Sequence, residues 1–197
     1  MRVYILLMIL CIELIGACTL RGTDGNLLIG KSYAAYTEVL KSEPQQEYTL
    51  GAINAISARE VCTLPKGSKV IVRSGGGSFT AGLILANCAY ENDLEVVVDY
   101  ALSAATFITL SAEDPEITVK SIVGFHSPYR MSKEGIVHIS LSEYRDLMFS
   151  FRIHARRWGY TDESIYTIIG INTMTKPEEI HILSMTELSI IFNLPRW

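Results

Sequence analysis

The chain has 197 residues, of which 49% are hydrophobic and 19% charged, and a net charge of −4. That is enough apolar material for one sizeable core, and it excludes a disordered chain. It also argues against nucleic-acid binding, which needs clustered Lys and Arg: the single dense basic stretch, Arg152 to Arg157, sits beside Ile153 and Trp158 and reads as a solvated helix face.

At the N-terminus, Arg2 precedes an almost wholly apolar run, Val3 to Ile15, and then Gly16-Ala17-Cys18. An apolar run of roughly 7–15 residues ending in small residues is a secretory signal. It is shorter than the ~20 residues a membrane-spanning helix needs. Ile15-Gly16-Ala17-Cys18 also resembles a bacterial lipobox, which implies that Cys18 is lipidated and becomes the new N-terminus. Glu13 inside the run departs from that pattern; the rivals are a non-lipidated signal cut nearby or an uncleaved anchor. The expected organisation is a signal over 1–17, a tether with irregular structure over 18–46, and one folded domain over 47–197. The expected location is the bacterial envelope, lipid-anchored and facing the periplasm. Thr19, rather than Asp, after Cys18 favours the outer membrane. Cys11 falls in the signal, which leaves Cys62 and Cys88. In an oxidising compartment they pair, or Cys88 is a buried thiol on its helix. No spacing resembles a zinc site, and no metal or cofactor is expected.

The periodic part begins near Tyr48. Tyr48 to Gly51 reads as a strand, Ala52 to Leu64 as a helix, and Lys69 to Arg73 as a β-branched strand broken by Ser74-Gly75-Gly76-Gly77. Ala81 to Tyr90 is an apolar helix. Glu95 to Val98 is a buried-type strand, Asp99-Tyr100 a turn, and Ser103 to Ala112 a small-residue helix. Thr118 to Phe125 is a further strand with His126 at its end. Helices follow over Asp146 to Trp158 and Asp162 to Ile169. Glu178 to Leu183 reads as extended, and Ser184 to Phe192 as a helix with Ser184 as N-cap and Glu187 three residues on. Strands alternating with helices imply parallel strands joined by crossovers.

Three segments carry chemistry. The glycine turn lets a substrate approach the backbone, and its N–H groups sit near a helix N-terminus, which suits an oxyanion. Ser103 ends a strand where a helix starts, a position that favours a nucleophile and also an ordinary N-cap. His126 ends another strand, where an imidazole can act as base near neutral pH.

In order and spacing these segments resemble the Clp protease proteolytic subunits and their crotonase-like relatives. Ser74-Gly75-Gly76-Gly77 is similar to that family's Ser-Pro-Gly-Gly turn, with Gly75 in place of Pro. Ser103-Ala104-Ala105 matches the nucleophile segment and His126-Ser127-Pro128 the His-x-Pro segment. Ser103 lies 26 residues after Gly77, and His126 lies 23 after Ser103. Gly124-Phe125-His126 and the closing Leu183-Ser184 with Glu187 resemble a bacterial periplasmic branch, over about Tyr48 to Leu194. The resemblance implies an α/β fold built as a spiral of ββα units. It implies a Ser103 nucleophile, a His126 base and an oxyanion hole of the Gly77 and Ala104 N–H groups. Ala101 and Ala105 stand where that branch usually has Cys. The family's triad Asp falls at Ile180; the neighbouring Glu178-Glu179 pair offers a substitute, with Glu179 as the expected third catalytic residue, or is a solvent-facing pair.

The implied function is an envelope serine hydrolase of peptidase type, acting on a peptide or protein. Its rival is a non-catalytic binding or assembly lipoprotein on the same scaffold. A crotonase-type acyl-thioester enzyme is disfavoured, since it needs coenzyme A outside the cytoplasm. Relatives commonly form trimers or rings, so the resemblance implies a homo-oligomer of unspecified number.

Overall fold

Residues 46–192 are described by a computed structural model. The expected signal, Cys11, Cys18 and the tether as far as residue 45 lie outside the described residues, as do residues 193–197. The first units are β1 (Glu47–Leu50), α1 (Ala55–Cys62), β2 (Lys69–Ser74), α2 (Phe79–Glu91) and β3 (Glu95–Leu102). A short 3-10 turn, Ser103–Ala105, leads into α3 (Thr106–Ser111), followed by β4 (Glu116–Phe125). A hairpin of β5 (Tyr129–Ser132) and β6 (Gly135–His138) precedes α4 (Leu141–Arg157) and α5 (Asp162–Met174). The last elements are β7 (His181–Ile182) and α6 (Met185–Ile191).

Strands β1, β2, β3 and β4 lie side by side and parallel, with β7 added antiparallel at the edge. The parallel strands are β-branched where they meet the helices. Val70, Val72, Val96 and Val98 are essentially fully buried, as are Leu50 and Phe125. Such runs suit the helix-covered face of a parallel sheet. Local signals start the helices. Asn54 caps α1 through the Ile56 and Ser57 N–H groups, and the Ser57 hydroxyl accepts the Asn54 N–H in return. Ser140 with Glu143 and Ser184 with Glu187 form the same reciprocal box on α4 and α6. Helix α4 therefore starts at Leu141, ahead of the expected Asp146, and α5 runs on to Met174.

One departure from expectation matters for the site. Asp99-Tyr100 is not a turn; β3 continues through it to Leu102. Val72 pairs with Val98 but Arg73 pairs with Tyr100, so Asp99 is an extra residue, a β-bulge. Its carboxylate accepts from the Arg73 guanidinium across the sheet. Before the bulge Val96 and Val98 point inward; after it Ala101 does. The bulge shifts the inward parity by one residue and so sets which way the chain leaving β3 aims Ser103.

The other face of the sheet is thinly covered. Tyr100, Ile122 and Ile182 are 41–49% exposed there, alongside the paired charges Lys69–Glu95 and Arg73–Asp99. Cys62 and Cys88 are joined in a disulfide that ties the end of α1 to the end of α2. Among the described residues no helix is long and apolar enough to cross a membrane.

Candidate active site

Ser103 has φ +56°, a left-handed backbone that only a few per cent of non-glycine residues adopt. Holding it costs about 1–3 kcal/mol, and such strain concentrates at functional sites. The turn is held locally by the Thr106 hydroxyl, which donates to the Ser103 carbonyl at 2.6 Å.

The glycine turn packs directly on Ser103. Gly76 has φ +100°, and a Cβ there would lie 2.6 Å from the Ser103 Cβ and 2.7 Å from the Leu102 carbonyl oxygen. Gly77 has φ +148°, and a Cβ there would lie 2.2 Å from the Ile53 carbonyl oxygen. Ile53 clamps the turn: its N–H donates to the Gly76 carbonyl and its carbonyl accepts the Ser78 N–H, both at 2.9 Å. The buried Ser74 hydroxyl accepts the Gly76 N–H at 3.1 Å. The Gly77 N–H has no protein acceptor among the described residues. Ala104 occupies the first turn of a helical segment, where N–H groups lack intrahelical acceptors. The expected pair of oxyanion donors is thus left open, beside the N-terminus of α2.

Ser103, Ala104, Gly77 and His126 line one cavity of about 540 Å³, walled by Phe79, Phe107, Phe125 and Met131. His126 is 9% exposed and packs against the Tyr129 ring, with centroids 5.3 Å apart. No hydrogen bond joins Ser103 to His126 among the described residues. Such contacts are often loose in an empty site and tighten around substrate. His126 Nδ1 does have a partner, the Ser127 main-chain carbonyl at 2.7 Å. A carbonyl oxygen only accepts, so this contact needs a proton on Nδ1, and in a neutral ring so bonded the lone pair sits on Nε2.

The structure does not bring Glu179 to this site. It pairs with Lys176 at 3.4 Å on an exposed turn, and Glu178 pairs with His138 at 3.4 Å. No carboxylate is among the residues lining the cavity. Its charged rim residue, Arg130, is engaged by Glu143. The Ser140 N–H first, then the Ser140 hydroxyl and Arg130, hold the Glu143 carboxyl below its ordinary range. Strand β7 pairs Gly124 with Ile182 and Phe125 with His181, and Ile180 immediately precedes it. Ile180 leans over Gly124 and offers only hydrocarbon.

Ile53, Ser127 and Asn172 support the site without a sequence signal. Ile53 acts through main-chain groups, which any residue type carries, and Ser127 through its own carbonyl and N–H together with its hydroxyl. Asn172, on α5, lines the cavity and lends its carbonyl to the Ser127 hydroxyl.

No family model matches the sequence, and no curated protein matches it. Solved structures match its fold. ClpP1 from Listeria monocytogenes is 18% identical over 79% of this chain and 91% of that chain, with a TM-score of 0.55. A mutant of the 1510-N membrane-bound stomatin-specific protease is 13% identical over 74% of this chain and 75% of its own, with a TM-score of 0.58. Another mutant of that protease, in complex with a substrate peptide, gives 14%, 76%, 74% and 0.56 for the same quantities. The expected Clp-protease-like α/β fold is therefore the observed one.

Proposed function

We propose that this chain is an exported serine hydrolase of peptidase type, with Ser103 as nucleophile and His126 as base. The observation that carries the reading is the strained Ser103 turn, backed by glycines and opening with His126 onto one cavity. The Ser103 hydroxyl attacks a carbonyl carbon while His126 Nε2 takes its proton. The Gly77 and Ala104 N–H groups hold the oxyanion. His126 then returns the proton to the leaving group, and water releases the acyl group by the same steps in reverse. Peptide or protein substrates, and self-association, belong to the proposal through the likeness to ClpP-like structures. A second reading, a non-catalytic binding protein, is favoured by one observation: no carboxylate reaches His126 among the described residues.

A fluorophosphonate probe separates the two. Wild-type protein is expected to label, and Ser103→Ala and His126→Ala to lose labelling. Glu179→Gln should label like wild type, because its carboxylate lies outside the cavity. Wild-type protein that stays unlabelled at neutral and mildly alkaline pH moves the conclusion to the second reading.

The proposal places the protein in the bacterial envelope, anchored through lipidated Cys18, with the outer membrane preferred. The Cys62–Cys88 disulfide supports an oxidising compartment. Cys18→Ser is expected to move the protein from the membrane fraction to the soluble fraction; retention in the membrane fraction would show that the lipid is not the anchor.

A further inference from the structure

A Ser–His pair without an acid normally leaves the imidazole free to exchange tautomers, and the wrong tautomer cannot accept the serine proton. Here no carboxylate lines the cavity that His126 opens onto, yet Nδ1 is not free. It donates to the carbonyl of the next residue, Ser127. A single backbone carbonyl at the end of a strand is a weak guide unless something fixes it.

Ser127 is fixed twice. Its N–H donates to the Thr175 carbonyl at 3.1 Å, and its hydroxyl donates to the Asn172 carbonyl. Both acceptors lie at the C-terminal end of α5, where helix geometry leaves carbonyls without intrahelical donors. Ser127 thus supplies two donors to a helix end that lacks them, and in return its own peptide unit is held. That helix end is also where the backbone dipoles of α5 sum to a partial negative charge. Pro128 follows directly, restricting Ser127 to extended backbone and narrowing the carbonyl's swing.

We propose that Ser127 is a positioning residue: its carbonyl, anchored on the C-terminus of α5, does for His126 what a carboxylate does in a serine triad. It keeps the proton on Nδ1 and presents Nε2 to Ser103. The negative end of α5 favours the positive charge that develops on the ring as the proton is taken. This rests on the hydrolase reading for its consequence, but the orientation of His126 is measurable without any catalysis. The orienting group is main-chain, so replacing surrounding carboxylates leaves it intact. The hydroxyl that secures it can be removed.

The test combines nitrogen NMR of histidine-labelled protein with fluorophosphonate labelling, on wild type, Ser127→Ala and Ser127→Thr. In wild type at mildly alkaline pH the His126 proton is expected on Nδ1. In Ser127→Ala the ring should populate both tautomers, and labelling should slow about 10-fold, the scale of losing a group that orients a reactive one. Ser127→Thr, which keeps the hydroxyl, should restore both. A wild-type ring protonated on Nε2, or a Ser127→Ala protein unchanged in tautomer and rate, overturns the proposal. If wild type carries the proton on Nδ1 and Ser127→Ala loses it, but neither protein labels, the orienting role stands and the hydrolase reading falls.

Discussion

Gly77→Ala should slow fluorophosphonate labelling of Ser103 by about 10²–10³-fold, the loss that follows removal of one oxyanion donor. Two features set the size of this effect. The backbone at Gly77, φ +148°, is one that side chains rarely adopt. The added methyl would also fall 2.2 Å from the Ile53 carbonyl oxygen, a main-chain atom already hydrogen-bonded to Ser78. Neither partner can yield without breaking the clamp, so the turn must move and carry the Gly77 N–H away from the cavity. Gly170→Ala, in α5 with open space around it, is the control and should label at the wild-type rate. Equal rates for Gly77→Ala and wild type would show that this turn contributes nothing to the reacting centre.

The second large effect concerns stability. The Cys62–Cys88 bond closes a loop with a sequence separation of 26. By loop-closure entropy, removing it with Cys62→Ser and Cys88→Ser together costs about 3.5 kcal/mol. For a domain of this size that lowers the melting temperature by about 10 °C. The closed loop contains β2 and the whole glycine turn, and it links α1, which follows the Ile53 clamp, to α2, which starts beside the turn. Thermal melts with and without a reductant measure the effect on the unaltered protein. Coincident melts would mean that the bond does not constrain the unfolded chain as the loop length implies.

The sheet and most helices were legible because burial imposes a period on the sequence. The Val-rich strand β2, the first half of β3, the capping pair Ser184 with Glu187, and the Ser74–Gly77, Ser103 and His126 segments all fall where the pattern puts them. What was not legible depends on partners distant in sequence. Asp99 reads as a turn former; only Arg73, across the sheet, shows that it is a bulge within a strand. The hairpin β5–β6 is mostly exposed and carries no clean alternation. Parallel order holds through β4, but β7 runs the other way, which no periodicity encodes. The acid of the expected triad shows the limit most clearly. A Glu-Glu pair near the right place suggested a carboxylate, whereas the group that meets His126 is a carbonyl, invisible in any side-chain pattern.

The thinly covered side of the sheet has a practical consequence. Tyr100, Ile122 and Ile182 sit there among ion pairs that neutralise one another, so the surface offers apolar area without a net charge to keep molecules apart. Such a surface favours contact between molecules in concentrated samples. Polar replacements there are the natural first changes for anyone preparing the protein for crystals or spectroscopy, since they leave the helix-facing side of every strand untouched.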